Sequence, residues 1–227
     1  VDPSPSATAS VDAAVVTPGS AANGSVPDGG ELHTTIDIAD QGVYFVSVTS
    51  TADTALEVSQ GGTAVFASDD RRDVLADVVG GLWSDPGAFV ELAPGTYDAV
   101  ITNRDAGIAD VEVSVEAVSV TTVEIGVATT VDIPVDGWSL ISVPVATAGT
   151  LTVDVRGSGP ADDPRLTHFI NAVPTSVDDR TAQQAVDLGG SEYDPYLISA
   201  VDPGNVLILL DEYERTAITV TVTASLS

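Results

Sequence analysis

Thr34-Thr35-Ile36-Asp37-Ile38-Ala39-Asp40-Gln41-Gly42-Val43-Tyr44-Phe45-Val46-Ser47-Val48 decides the fold class of this chain. Apolar and polar residues alternate on the N-terminal side of Asp40-Gln41-Gly42, and a β-branched and aromatic run follows it. A period of two sends successive side chains to opposite faces of a strand, and a polar, Gly-bearing triplet marks the turn between two strands. The pattern continues downstream at Ala55–Val58, Ala64–Ala67, Ala88–Leu92, Tyr97–Thr102 and Val111–Val118. Gly61-Gly62, Pro94-Gly95 and the stretch from Asn103 to Gly107 separate these runs. Short strands with Gly and Pro between them predict an all-β sandwich, jelly-roll-like in kind.

The pattern occurs twice. Thr130-Val131-Asp132-Ile133 before Asp136-Gly137-Trp138 matches Thr35-Ile36-Asp37-Ile38 before Gln41-Gly42-Val43, at an offset of 95 (137 − 42). Further along, the offset becomes 109 (179 − 70) and holds without a gap. It pairs Asp69-Asp70-Arg71 with Asp178-Asp179-Arg180, Gly80-Gly81 with Gly189-Gly190, Asp85-Pro86 with Asp194-Pro195, and Pro94-Gly95 with Pro203-Gly204. Turn residues repeating in register predict two tandem modules, 31–118 and 119–227. The change of offset by 14 (109 − 95) predicts an insertion in the second module near 157–174. Residues 1–30, rich in Pro, Ser, Ala, Gly and Asp, read as a flexible linker or arm. Within that arm, Val11 to Thr17 has enough apolar content to add a strand to another molecule, which would make the protein self-assembling.

Each module should also carry one short helix. Val74, Leu75, Val78 and Val79 fall on one helical face, with Asp70 before them as N-cap and Gly80 after them as terminator. The second copy has Asp179, then Arg180 to Leu188, then Gly189. The repeated aspartates therefore have two readings. Asp70 and Asp179 cap helices while Asp85 and Asp194 start turns, or Asp69, Asp70 and Asp85 form a Ca²⁺ site with Asp178, Asp179 and Asp194 as its copy.

The residues from Asp53-Thr54-Ala55-Leu56-Glu57-Val58 through Gly61-Gly62 to Phe66-Ala67-Ser68-Asp69-Asp70 resemble the bacterial pre-peptidase C-terminal domain. So do Asp85 and Phe89-Val90-Glu91-Leu92-Ala93-Pro94-Gly95-Thr96-Tyr97. The resemblance spans most of 34–117 and, more faintly, 129–225. The second copy keeps Asp178-Asp179, Asp194 and Pro203-Gly204, has Asn205-Val206 for Thr96-Tyr97, and lacks an Asp equivalent to Asp53. The helical insert departs from the family pattern. The resemblance implies a β-sandwich accessory of secreted hydrolases without catalysis of its own, some members binding Ca²⁺ or a polymeric substrate.

Composition narrows the function classes. Seven basic residues, all Arg, against 34 acidic ones give a net charge of −27, which repels nucleic acid and anionic lipid. There is no Cys, hence no thiol nucleophile or thiolate metal site. No apolar run is long enough to span a bilayer. The start at Val1 without Met predicts a mature chain after signal-peptide removal, hence an extracellular, secreted or surface-attached protein. The two histidines, His33 and His168, stand near no Gly-x-Ser-x-Gly elbow or other nucleophile motif, and His168 beside Phe169 reads as a partly buried strand residue. Trp83, Tyr193 and Tyr196 flank the Asp-Pro turns. They form a binding platform or plug sandwich ends. The expectation is a non-catalytic structural or interaction protein whose partner is protein, polysaccharide or another copy of itself in an oligomer or filament. The alternatives are a calcium-dependent polysaccharide- or protein-binding accessory module and a β-sandwich hydrolase.

Overall fold

A computed structural model describes residues 10–12, 14–159, 161–170, 173–177 and 179–227. The fold is all-β with two short helices. The chain divides into two compact units, one reaching Val118 and the other starting at Ser119.

Unit 1 runs β1 (Ser10–Asp12), β2 (Ser20–Val26), β3 (Glu31–Ile38), β4 (Gly42–Ser50), β5 (Thr54–Gln60), β6 (Thr63–Ser68), α1 (Arg72–Val79), β7 (Gly87–Leu92), β8 (Gly95–Asn103) and β9 (Ala109–Val118). One sheet has the order β1-β3-β8-β5-β6 and the other β2-β9-β4-β7. Leu32, Ile36, Leu56 and Ile101 from the first sheet meet Val46, Val48, Val111 and Val113 from the second in one buried cluster. β-Branched and aliphatic residues at every second position suit such a face. Tyr44 and Tyr97 bury their rings and donate their hydroxyls to the carbonyls four residues back, Asp40 O at 2.7 Å and Ala93 O at 2.8 Å.

Unit 2 runs β10 (Val120–Thr122), β11 (Thr129–Ile133), β12 (Trp138–Val145), β13 (Gly149–Gly157), β14 (Pro164–Ile170), β15 (Val173–Val177), α2 (Ala182–Leu188), β16 (Tyr196–Val201), β17 (Gly204–Glu212) and β18 (Ile218–Leu226). Its sheets are β10-β12-β17-β14-β15 and β11-β18-β13-β16. Strand for strand this is the order of unit 1, including the short first strand parallel to the third. Ile141, Leu166 and Ile208 meet Val153, Val155 and Val220 in its core.

Three expectations change. Residues 1–30 are not simply an arm: β1 pairs with β3, β2 pairs with β9, and Val16 is fully buried. Val16 N–H donates to Thr35 O at 2.8 Å and Asp37 N–H to Val16 O at 2.9 Å, so this segment serves its own sheet, not another molecule's. Residues 1–9 and 13 lie outside the described residues.

Second, the offset is near 109 throughout. β2 and β11 start 109 apart (129 − 20), β3 and β12 107 (138 − 31), β8 and β17 109 (204 − 95). The offset of 95 had matched β3 to β11, which belong to different sheets of the repeat. With β2 counted as part of unit 1, the insertion at 157–174 shrinks. Residues 158–163 join β13 to β14 where 51–53 join β4 to β5, and 164–170 is core strand.

Third, the helices are capped differently. α1 is preceded by Arg71, whose backbone is already helical, and α2 by Thr181. Thr181 and Gln184 form a reciprocal capping box, so Asp70 and Asp179 are not the caps. Gly80 and Gly189 end the helices at φ of 80° and 76°.

Candidate functional site

The repeated Asp-Asp-Arg and Asp-Pro elements build a buried polar pivot in each unit, and the arginine is its centre. In unit 1, Arg71 is 3% exposed, with Nη1 donating to Gly80 O (2.6 Å) and Nη2 to Val48 O (2.8 Å). Its guanidinium carbon stands 5.6 Å from the centre of the Phe45 ring. Asp85, with no exposed surface, accepts from Ser50 N–H (3.1 Å) and Leu82 N–H (2.8 Å). Burial pushes the Arg71 pKa down, and the charge of Asp85 opposes that shift.

Unit 2 repeats the pivot with an added carboxylate. Arg180 donates to Gly189 O (2.8 Å), Val155 O (3.1 Å), Asp194 O (2.8 Å) and Asp154 Oδ1 (2.6 Å). Asp194 accepts from Gly157 N–H (2.8 Å) and Ser191 N–H (2.7 Å). Asp154 also takes two hydrogen bonds from Arg156, and that side-chain bond is what raises the Arg156 pKa most. The repeated Gly-Gly pair follows from this packing. A Cβ on Gly81 would stand 2.2 Å from Arg71 Nη1, and one on Gly190 2.6 Å from Asp194 Oδ2.

These contacts separate the described aspartates of the Ca²⁺ reading. Asp85 and Asp194 face backbone amides and a guanidinium inside the fold. Asp69 is half exposed and paired with Arg104 at 3.1 Å, Asp70 is half-buried, and Asp179 is exposed. Asp178 lies outside the described residues. Among the described residues no group of three or more His, Asp or Glu is arranged to hold a metal ion. Asp69 and Asp70 do lie near Asp53 and Asp105. Burial, then the charges of Asp69, Asp70 and Asp105, push the Asp53 carboxyl up, against the pull of Arg104. The second unit does have a counterpart of Asp53. Asp163 directly precedes β14 and its backbone carbonyl accepts from Tyr213 N–H (3.1 Å), as Asp53 precedes β5 and its backbone carbonyl accepts from Arg104 N–H (2.9 Å).

The aromatic candidates also part company. Trp83 and Tyr193 are 60% and 51% exposed, each in the loop between helix and next strand of its unit. Tyr196 starts β16 and lies under Arg180, 5.9 Å from guanidinium carbon to ring centre. His33 is half-buried beside Glu31 at 3.2 Å. His168 is 6% exposed on the core side of β14, opposite Ile208. Burial lowers its pKa, against a backbone hydrogen bond with Thr175. The arginines were the residues that sequence reasoning passed over. Of the seven arginines in the chain, Arg71 and Arg180 are the pair that occupies matching positions in both copies of the ungapped repeat.

No helix among the described residues is long and apolar enough to cross a membrane. No protein-family model matches the chain, and no curated protein matches it in sequence. Among solved structures, the chain is similar to the pre-peptidase C-terminal domain of collagenase from Bacillus anthracis. That match has 14% identity and a TM-score of 0.36 over 48% of this chain and 96% of that one. It is also similar to a periplasmic inhibitor of g-type lysozyme from Aeromonas hydrophila, at 12% identity and a TM-score of 0.32 over 48% and 100% of the two chains. A third similar structure is the PBSX exported protein XepA, at 13% identity and a TM-score of 0.31 over 90% and 87%.

Proposed function

We propose that this chain is a non-catalytic, extracellular interaction protein made of two pre-peptidase-C-terminal-like modules, which bind a polymer or protein through their surfaces. One observation carries the reading. Of the charged residues that recur in register, Arg71 with Asp85 and Arg180 with Asp194 are buried and engaged with backbone groups of their own unit. The intervening loops carry different exposed residues, Leu82-Trp83 in one unit and Glu192-Tyr193 in the other. Repeated chemistry thus holds the fold, and surface chemistry varies between the units. A hydrolase would need the opposite, an exposed nucleophile and base converging in a cleft. The high negative charge keeps such a protein soluble and selects against anionic partners.

The test incubates the full chain with insoluble polysaccharides and collagen, and in parallel with chromogenic ester, glycoside and peptide substrates. Retention on a polymer without turnover is expected. Turnover that disappears in His33→Ala or His168→Val would overturn the reading.

A further inference from the structure

Unit 2 has a surface groove of about 650 Å³ where the end of β11, the start of β12, the β13–β14 connection and the start of β18 converge. Asp132, Pro134, Trp138, Ser158, Asp162 and Thr219 give it its chemistry. Its size is that of a small-ligand site. Both carboxylates are oriented before any ligand arrives. Thr219 Oγ1 donates to Asp132 Oδ1 at 2.8 Å, while Gly159 N–H (2.7 Å) and Ser158 Oγ (3.1 Å) donate to Asp162 Oδ2. The backbone is cut to fit them. A Cβ on Gly157 would lie 2.6 Å from Asp162 Cβ, and one on Gly137 2.6 Å from Pro134 Cγ in the turn that delivers Trp138.

We propose that this groove binds a neutral saccharide, with Trp138 as its stacking platform and Asp132 and Asp162 as acceptors for sugar hydroxyls. The inference rests on the interaction-protein reading and names its site. An indole offers a flat apolar face with a polar edge, suited to the C–H face of a pyranose ring. Carboxylates make strong, charge-assisted hydrogen bonds to hydroxyl donors. No Arg or His lines the groove, and the chain's net charge of −27 disfavours uronate, sulfate or phosphate ligands.

Unit 1 holds the matching groove in a state that explains what was added. About 510 Å³ in size, it lies between β2, the β4–β5 connection and the start of β9. Ser25 Oγ donates to Asp110 Oδ1 at 2.7 Å, in the cross-strand register that Asp132 and Thr219 occupy in unit 2, with donor and acceptor exchanged. No aromatic residue lines it. The longer β13–β14 connection, which supplies Ser158 and Asp162, and the indole of Trp138 are the additions in unit 2.

The chain has two tryptophans, so Trp83→Phe leaves Trp138 as the sole indole reporter. This variant is titrated with neutral cello-, xylo-, manno- and N-acetylchito-hexaoses, and with oligolysine, at low and high salt. Expected is a saturable change in Trp138 fluorescence with at least one neutral oligosaccharide, insensitive to salt. Calorimetry on Asp132→Ala and Trp138→Ala should show binding weakened roughly tenfold or more, about 1.4 kcal/mol. Asp132 is exposed, so its variant keeps the test valid if loss of the half-buried indole unfolds the unit. No saturable response to any hexaose overturns the proposal. So does binding that both variants leave unchanged, or a response to oligolysine alone that salt abolishes, which would make this a site for basic peptides. Polymer retention that survives in both variants removes this groove and leaves the interaction-protein reading standing; turnover of a substrate removes that reading instead.

Discussion

Replacing His168 with valine removes the one imidazole that the fold buries. His168 pairs with Ile208 across β14 and β17, as Val58 pairs with Ala99 across β5 and β8, so unit 1 already shows the aliphatic version of this core position. Burial favours the neutral ring and lowers its pKa in the folded state below the usual value near 6.5. As pH falls through about 6.5, the unfolded chain therefore takes up the proton first. The site's contribution to stability is full above that pH and declines below it, levelling only under the folded pKa. One proton can cost at most about 1.4 kcal/mol per pH unit, so about 2 kcal/mol by pH 5. At pH 8 the exchange runs from neutral to mildly stabilising. The aliphatic side chain loses the hydrogen bond to Thr175, about 1 kcal/mol, and relieves the buried Nδ1 that lacks a partner, about 1–3 kcal/mol. The assay is urea denaturation followed by Trp138 fluorescence in a Trp83→Phe background, with and without His168→Val, from about pH 8 to 5. Carboxylates common to both chains cancel in the difference. The two stability curves should diverge by up to about 2 kcal/mol toward acid, with the His168→Val chain the more stable. Parallel curves would show that His168 protonates as easily folded as unfolded, and the argument from burial would fail.

Arg180→Met should destabilise unit 2 by about 3–5 kcal/mol, and by more than Arg71→Met costs unit 1, because Arg180 also holds Asp154 at 2.6 Å; equal losses in urea melts would count against that ranking. Thr181→Ala should cost about 1 kcal/mol through loss of the capping box, and Asp179→Ala close to nothing, by the same melts. Millimolar Ca²⁺ or chelator at matched ionic strength should leave the melting temperature unchanged, since Asp85 and Asp194 already have amide donors. A Ca²⁺-dependent rise abolished by Asp85→Asn would refute this.

The strands that were legible in the sequence are those whose inward positions carry large aliphatics, such as Ile36 and Ile38 in β3 or Val111, Val113 and Val115 in β9. Helix position and helix end were legible too, because Gly80 and Gly189 recur where only a positive φ continues the chain. β2 was not legible. Ser20-Ala21-Ala22-Asn23-Gly24-Ser25-Val26 buries only Ala22 and Val26, and its Gly24 reads as a linker residue. In the fold that glycine is demanded by Leu32, whose Cδ atoms would lie 2.9 Å from an added Cβ. Small residues chosen for close approach look, in one dimension, like residues chosen for freedom. Losing β2 displaced the repeat by one strand and manufactured the apparent insertion. The aspartates misled for a related reason. A carboxylate receiving backbone N–H groups inside a turn and one ligating a metal have the same letter, and only burial beside an arginine tells them apart.

That arginine also explains how each unit carries a helix the sandwich does not require. α2 has no fully buried residue, only the half-buried Gln184 and Ala185, so packing holds it weakly, whereas α1 shares its attachment with Leu75, which is fully buried. In both units the guanidinium joins the carbonyl at the helix end, Gly80 O or Gly189 O, to a strand carbonyl, Val48 O or Val155 O. A helix fastened at its C-terminal carbonyl can change its outer face without disturbing the core, as the exposed Val186 and Leu188 of α2 show. Burying a cation under the insert is unfavourable on its own, which is why the acid at Asp85 or Asp194 travels with it. The pair fixes the loop ends at one place on the sheet and leaves the intervening residues free to diverge. Surface variation between the units is thus a consequence of where the charge is buried.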